Sequence, residues 1–293
     1  MALATKPPTR QPTVRRIWRT PGSWFNWLFL LLSLVILAWV YLLYRSAVAT
    51  QLYPGPYNVP FRQFGIVSFC LVVLVVAYTL RRRFVRRLPG KVQNWLWLHI
   101  WFGVISILIA FMHEDFLNIT HDFVFQASRF SEAVYGMSAL LALLLLVMTG
   151  VLGRLLDVWQ ARVIASEADS NGVGISRAVE ERIFELTLAV ERLSAGKSAQ
   201  FKQYCEEALR TRGRGAPPQL LPVLAPHEVN DFQHTFEVLG EQAQLERSLL
   251  RQRRARLMMR MWRYVHISVA CAALVVIGYH SVVELWKMLV LHY

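Results

Sequence analysis

Residues 95–116 read WLWLHIWFGVISILIAFMHEDF, and residues 262–286 read WRYVHISVACAALVVIGYHSVVELW. Each contains an apolar run long enough to cross a bilayer as a helix, which takes about 20 residues. Each also carries two histidines fourteen residues apart, His99 with His113 and His266 with His280. At 100° per residue, fourteen residues end about 40° short of four full turns, so each pair shares one helix face with about 21 Å of rise between its members. Working outward, similar runs occupy 24–44, 64–80 and 133–152, which gives five predicted spans, the third at 95–112 and the fifth at 262–283. The whole 293-residue chain has the matching composition: 55% apolar residues, only 17% charged ones, and a mean hydropathy of +0.35. The expected fold is all-α: an integral membrane helical bundle of five transmembrane helices.

Loop charge predicts the orientation. Residues 1–23 carry Lys6, Arg10, Arg15, Arg16 and Arg19 and no acid, and the 81–91 loop carries Arg81, Arg82, Arg83, Arg86, Arg87 and Lys91 and no acid. The alternate segments are poorer in base: 45–63 holds Arg45 and Arg62, while 114–132 holds Glu114, Asp115, Asp122 and Glu132 against Arg129. The positive-inside rule then places the N-terminus in the cytoplasm, with a bacterial inner membrane as the expected location. The first span resembles a signal peptide, with Ala47-Val48-Ala49 behind it, but its apolar core is long and reads as an uncleaved anchor. The net charge of +13 marks membrane flanks in so apolar a chain, and nucleic acid is not an expected partner.

Four segments follow: a basic cytoplasmic N-terminus (1–23), transmembrane helices 1–4 (24–153), a cytoplasmic helical insert (154–261), and transmembrane helix 5 with a short outer tail (262–293). The insert shows helical spacing at Val179, Ile183, Leu186, Leu188, Val190 and Leu193, a break at 213–222 (GRGAPPQLLP), and then a polar helix running into the fifth span. Its arginine-rich end, 251–263, reads as a flank for anionic headgroups. No phosphate-binding glycine motif occurs in the chain.

The histidines carry the expected chemistry. The third and fifth spans run parallel, so His99 and His266 meet near the cytoplasmic surface and His113 and His280 near the outer one. A flat iron macrocycle needs such a pair of axial nitrogens, one from either side. Residues four, seven and eleven after each first histidine are Gly103, Ser106 and Ala110 in one span and Ala270, Ala273 and Ile277 in the other, and five of the six are small. Gly103, Ala110, Ala270 and Ala273 are therefore expected to make room for the cofactor, although small faces also suit plain helix packing. Two histidines per level fit zinc poorly. Cys70, Cys205 and Cys271 are far apart, with no C-x-x-C-H, so two non-covalent haem b groups are expected rather than attached haem. An inner iron would be held by His99 and His266 and an outer one by His113 and His280.

This pattern resembles the di-haem b-type membrane cytochromes: the cytochrome b of quinol:cytochrome c reductases, the cytochrome b561 group and the ferric-reductase-like transmembrane domain. The likeness covers mainly 92–152 and 260–285. It implies a haem-bearing helical bundle that relays electrons across the bilayer in a quinone-linked respiratory chain. The ferric-reductase-like domain is nearest in the order of its histidine-bearing spans, but this chain has five spans rather than six and no flavin–nicotinamide module or H-P-F-[TS] signature. It also lacks the Pro-Glu-Trp-Tyr signature of the larger cytochromes b.

An electron-transfer subunit of a larger redox complex is thus expected ahead of a self-contained oxidoreductase, with no catalytic side chain assigned. Quinone, a periplasmic multihaem or iron–sulfur protein, and a protein held by the insert are the expected partners. The competing readings are a stand-alone quinol-dependent (ferric) reductase and a non-redox scaffold or sensor whose histidines only pack. Glu114 reads first as an interfacial acid and second as a proton acceptor for quinol. His121, His227, His234 and His292 read as solvated. Arg81–Arg83, Arg86, Arg87 and Lys91 mark topology first and propionate pairing second, Trp95 and Trp262 fit an aromatic belt, and Asn118-Ile119-Thr120 is a glycosylation sequon.

Overall fold

The computed structural model describes residues 24–52, 54–83, 90–116, 132–210 and 225–290. These form α1 (Trp24–Thr50), α2 (Phe61–Arg83), α3 (Val92–His113), α4 (Glu132–Ser170), α5 (Ser176–Ser194), α6 (Ala199–Arg210), a single 3-10 turn (Pro226–Glu228) and α7 (Val229–Val290), with no strand among the described residues. Five of the helices, α1 to α4 and α7, are long and apolar enough to cross a membrane. The N-terminal 23 residues, most of the 81–91 and 114–132 loops with Arg86, Arg87, His121 and the sequon, the 213–222 break and His292 lie outside the described residues.

The chain divides into two compact units, and the division falls inside α4 and α7. One unit spans 20–154 and 262–293. Its apolar interior has two parts. Val40 and Ala47 of α1, Phe61 and Phe64 of α2, and Phe102 and Ile109 of α3 pack together. Val72 of α2, Ile107 of α3, Ala139, Leu140 and Leu143 of α4, and Ala273 and Ile277 of α7 form the second cluster. A few polar ties fix the helix register: Asn26 accepts from the Trp101 indole at 2.9 Å, and Ser68 donates to the Ser106 carbonyl at 2.9 Å. A backbone carbonyl that is already in a helix ladder keeps a second lone pair, so it can receive such a bond at no cost to the helix.

The other unit contains 155–261. Amphipathic α5 and α6 bury Val179, Leu186, Val190, Phe201 and Cys205 against Val238, Leu245 and Leu249 of α7. The turn into α5 needs left-handed backbone at Gly172 (φ 65°) and Gly174 (φ 121°), and Asn171 braces it by accepting from the Val173 and Gly174 amides at 2.9 and 2.8 Å. Part of the arginine-rich stretch of α7 is engaged within the unit: Arg251 pairs with Glu167, Arg253 with Glu180, and Arg256 donates to the Ser176 hydroxyl. Burial pushes the Cys205 thiol up to about 11, so it packs as a neutral side chain.

Glu228 ties the starts of α6 and α7. Its carboxylate accepts from the Ser198 amide at 2.8 Å and from the Ser198 hydroxyl at 3.1 Å, and these bonds, the amide first, hold it below the usual carboxylate range. Asp231 is held low by Lys197, which donates to it. Both groups have folded-state values below their unfolded ones, so their contribution is complete above the ordinary carboxylate range and is lost as pH falls through it. Thermal melting of the full-length protein in detergent should therefore show this unit weakening as pH falls below about 5, with part of the loss absent in Glu228→Gln. Phe201 is fully buried and meets Phe232 edge-on at 5.6 Å, so Phe201→Ala should cost about 3–5 kcal/mol, read as early proteolytic cleavage in 176–210.

Candidate functional site

An imidazole among apolar helices must still find a partner for its N–H. On α3 the Nδ1 of His99 lies 3.1 Å from the Val75 carbonyl, and the Nδ1 of His113 lies 2.8 Å from the Phe61 carbonyl. A carbonyl oxygen only accepts, so Nδ1 carries the proton on both rings and Nε2 keeps its lone pair. On α7 the Nδ1 of His266 lies 2.9 Å from the Thr149 hydroxyl. That hydroxyl donates to the Leu146 carbonyl at 2.9 Å, so toward His266 it accepts, and His266 takes the same tautomer. Neutral imidazole with Nδ1–H anchored and Nε2 unprotonated is the form that ligates a metal.

The histidines are brought together in two levels. His266 interacts electrostatically with His99, and His280 with His113. All four rings are partly buried. Among the described residues no cluster of three or more His, Cys, Asp or Glu side chains forms at either level or elsewhere.

The neighbouring helices repeat the same step. Phe61 and Val75, whose carbonyls hold the α3 histidines, are fourteen residues apart on α2. Gly136 and Gly150, fourteen apart on α4, face the α7 histidines: a Cβ on Gly136 would lie 3.5 Å from His280 Cε1, and one on Gly150 3.5 Å from His266 Cε1. Gly65 is tighter, since its Cβ would stand 2.9–3.1 Å from three atoms of the His113 ring. Gly103 opens on space, with nothing within 4 Å of an added Cβ. Of the other small residues, Ala110 and Ala273 pack into the apolar cluster between the levels, and Ala270 is partly buried. Gly65, Gly136, Gly150 and Thr149 have no role in the sequence reading, although the fourteen-residue recurrence of Gly136 and Gly150 is visible there.

The two ends of the site differ in charge. One turn before His99, the Arg81 guanidinium lies over Trp95 at 5.3 Å from the ring centroid and also donates to the Gly90 carbonyl, and Arg154 lies over Trp97 at 5.9 Å. Trp262, one turn before His266, donates to the Thr149 carbonyl at 3.1 Å. At the other level Glu114 is buried, and its Oε1 is 3.8 Å from the same Gly136 Cβ position that lies beside His280. A cavity of about 200 Å³ borders His280 between Tyr135, Tyr279, Val283 and the Glu284–Lys287 ion pair (3.1 Å). His234 is exposed, 4.0 Å from Glu237, and His227 sits on the 3-10 turn; neither joins a ligand cluster among the described residues.

The glycines make opposite forecasts. Gly65→Ala should destabilise the purified protein by about 1–3 kcal/mol, because the His113 ring must leave its carbonyl. Gly136→Ala and Gly150→Ala make ordinary contacts and should be neutral or stabilise by up to about 1 kcal/mol through helix propensity. Thermal unfolding in detergent separates the two signs. In comparisons with known proteins, no family model, curated protein or solved structure matches the chain.

Proposed function

We propose that the chain is a membrane b-type cytochrome that holds two haems, one between His99 and His266 and one between His113 and His280, and relays electrons across the bilayer. The observation that carries this reading is the pairing of four imidazoles into two levels, three of them with Nδ1 anchored and Nε2 unprotonated. The donor set fits haem: two nitrogens per level, no further ligand cluster among the described residues, glycines against the rings, and open space beside Gly103. Haem iron held by these imidazoles would supply reversible one-electron transfer rather than oxygen activation.

The chain's own residues do the rest. The Val75 and Phe61 carbonyls and the Thr149 hydroxyl aim the rings; Gly65, Gly136 and Gly150 let neighbouring helices approach them. Ile107, Leu140, Leu143, Ala273 and Ile277 fill the space between levels with apolar side chains, which excludes water from it. Gly103, Ala110, Ala270 and Ala273 remain the proposed small residues along the cofactor faces.

The finer assignments follow from loop charge and from the resemblance: N-terminus in the cytoplasm of a bacterial inner membrane, the His99/His266 level on the inner side, and a subunit role in a quinone-linked complex. The 155–261 unit, with its own apolar core and no ligand cluster, serves as the docking element for a partner rather than as part of the relay.

Purified protein should contain two b haems per chain in a pyridine haemochrome assay. His99→Ala and His266→Ala should remove one and the same spectral component, and His113→Ala and His280→Ala the other. Protein without haem sinks the reading; loss that pairs His99 with His280 would overturn the arrangement of levels.

A further inference from the structure

We propose that Thr149 is the positioning residue of the His99/His266 level, holding His266 as the Nδ1–H tautomer and thereby lowering that level's reduction potential. The inference rests on the haem-binding reading above. Thr149 is 7% exposed, and its hydroxyl has one proton, used on the Leu146 carbonyl at 2.9 Å. Its contact with His266 at 2.9 Å is therefore an acceptance, and His266 is left with Nε2 as its ligating nitrogen.

The surrounding turn of α4 is shaped for this contact. The Thr149 carbonyl receives the Trp262 indole at 3.1 Å, so one residue grips α7 at two points four residues apart. Gly150 admits the His266 ring, and at Gly153 any Cβ would stand 2.8 Å from the Trp262 indole nitrogen. Both flanking glycines thus keep α4 close enough for a short side chain to reach the ring.

The other level lacks the device. One fourteen-residue step earlier the position equivalent to Thr149 is Tyr135, which lines the cavity beside His280, and among the described residues His280 has no hydrogen-bond partner. The His99/His266 level consequently has two anchored imidazoles and the His113/His280 level one. An Nδ1–H donated to oxygen increases the electron density that Nε2 offers, which favours the ferric state and lowers the potential.

The test is a redox titration, with low-temperature EPR, of the full-length haem-loaded protein as wild type, Thr149→Val and Thr149→Ser. Valine keeps the shape and removes the acceptor. Thr149→Val should retain two haems, raise one of the two midpoints and move the low-spin g values of that component alone, while Thr149→Ser restores both. The moved component should be the one that persists in His113→Ala, which assigns it to the His99/His266 level. Should Thr149→Val fail to accumulate, Thr149→Ala is expected to give the same shift. Two unmoved midpoints at full haem content, an equal shift of both, or a serine variant as shifted as valine would falsify the assignment while leaving the haem reading intact. Wild-type protein without haem overturns both.

Discussion

An imidazole inside an apolar bundle has two nitrogens to satisfy and few groups to satisfy them, and the rest of this bundle is arranged around that need. Helices have used their amides internally, so the remaining acceptors are the second lone pairs of backbone carbonyls and the occasional hydroxyl. The Val75 and Phe61 carbonyls meet the α3 rings only if α2 lies beside α3 at one relative height, and a shift of a single residue along α2 would turn both carbonyls away by about 100°. The Ser68–Ser106 bond, between the two, fixes the same height. The register of α2 and α3 and the orientation of two histidines are thus one constraint.

On α4 the Thr149 hydroxyl meets the His266 ring, and glycines leave room for both α7 rings. Gly136 and Gly150 cost helix propensity of about 1 kcal/mol each, yet they sit where an added Cβ would touch an imidazole. Between them the helix turns to the interior with Ala139, Leu140 and Leu143, against Ala273 and Ile277. The fourteen-residue step therefore marks histidines on α3 and α7, the carbonyls that hold two of them on α2 and glycines on α4, with apolar packing filling the interval.

Much of this is legible in the sequence, and the part that is not has a physical cause. Apolar runs delimit α2 and α3 to within three residues at each end, whereas α1 continues six residues past its run, through Arg45 and Ser46 to Thr50. The extension of α4 to Ser170 and the unbroken course of α7 from Val229 to Val290 continue past the apolar runs in polar sequence, where helicity depends on the packing of α5 and α6 and no hydropathy edge marks the join. The arginines at 251–256 read as headgroup ligands when only their charge is seen; Glu167, Glu180 and Ser176 are their partners through tertiary structure. Histidine spacing reveals which residues share a face, but a backbone carbonyl carries no sequence signal. Phe61 and Val75 look like ordinary apolar positions. Thr149 is a short polar residue in LALLLLVMTG, and only the ring it meets distinguishes it from a hydroxyl satisfied by its own helix.

Charged side chains also stand near both levels. Arg81 and Arg154 lie over Trp95 and Trp97, within about one turn of His99, and cations there favour the reduced, less positive state of a bound iron. Glu114 and His280 both border Gly136, and Glu284 and Lys287 act on His280 with opposite signs. On the haem reading, the anchored pair at His99 and His266 acts against its local field by strengthening the ligands. At the other level, His280 has no anchor among the described residues, which would leave one ligand weaker. On that reading the number of anchored imidazoles would distinguish the two levels independently of the charges around them. On the haem reading, two centres about 21 Å apart along the helix axis would pass an electron in the direction set by the donor and acceptor that meet the two ends.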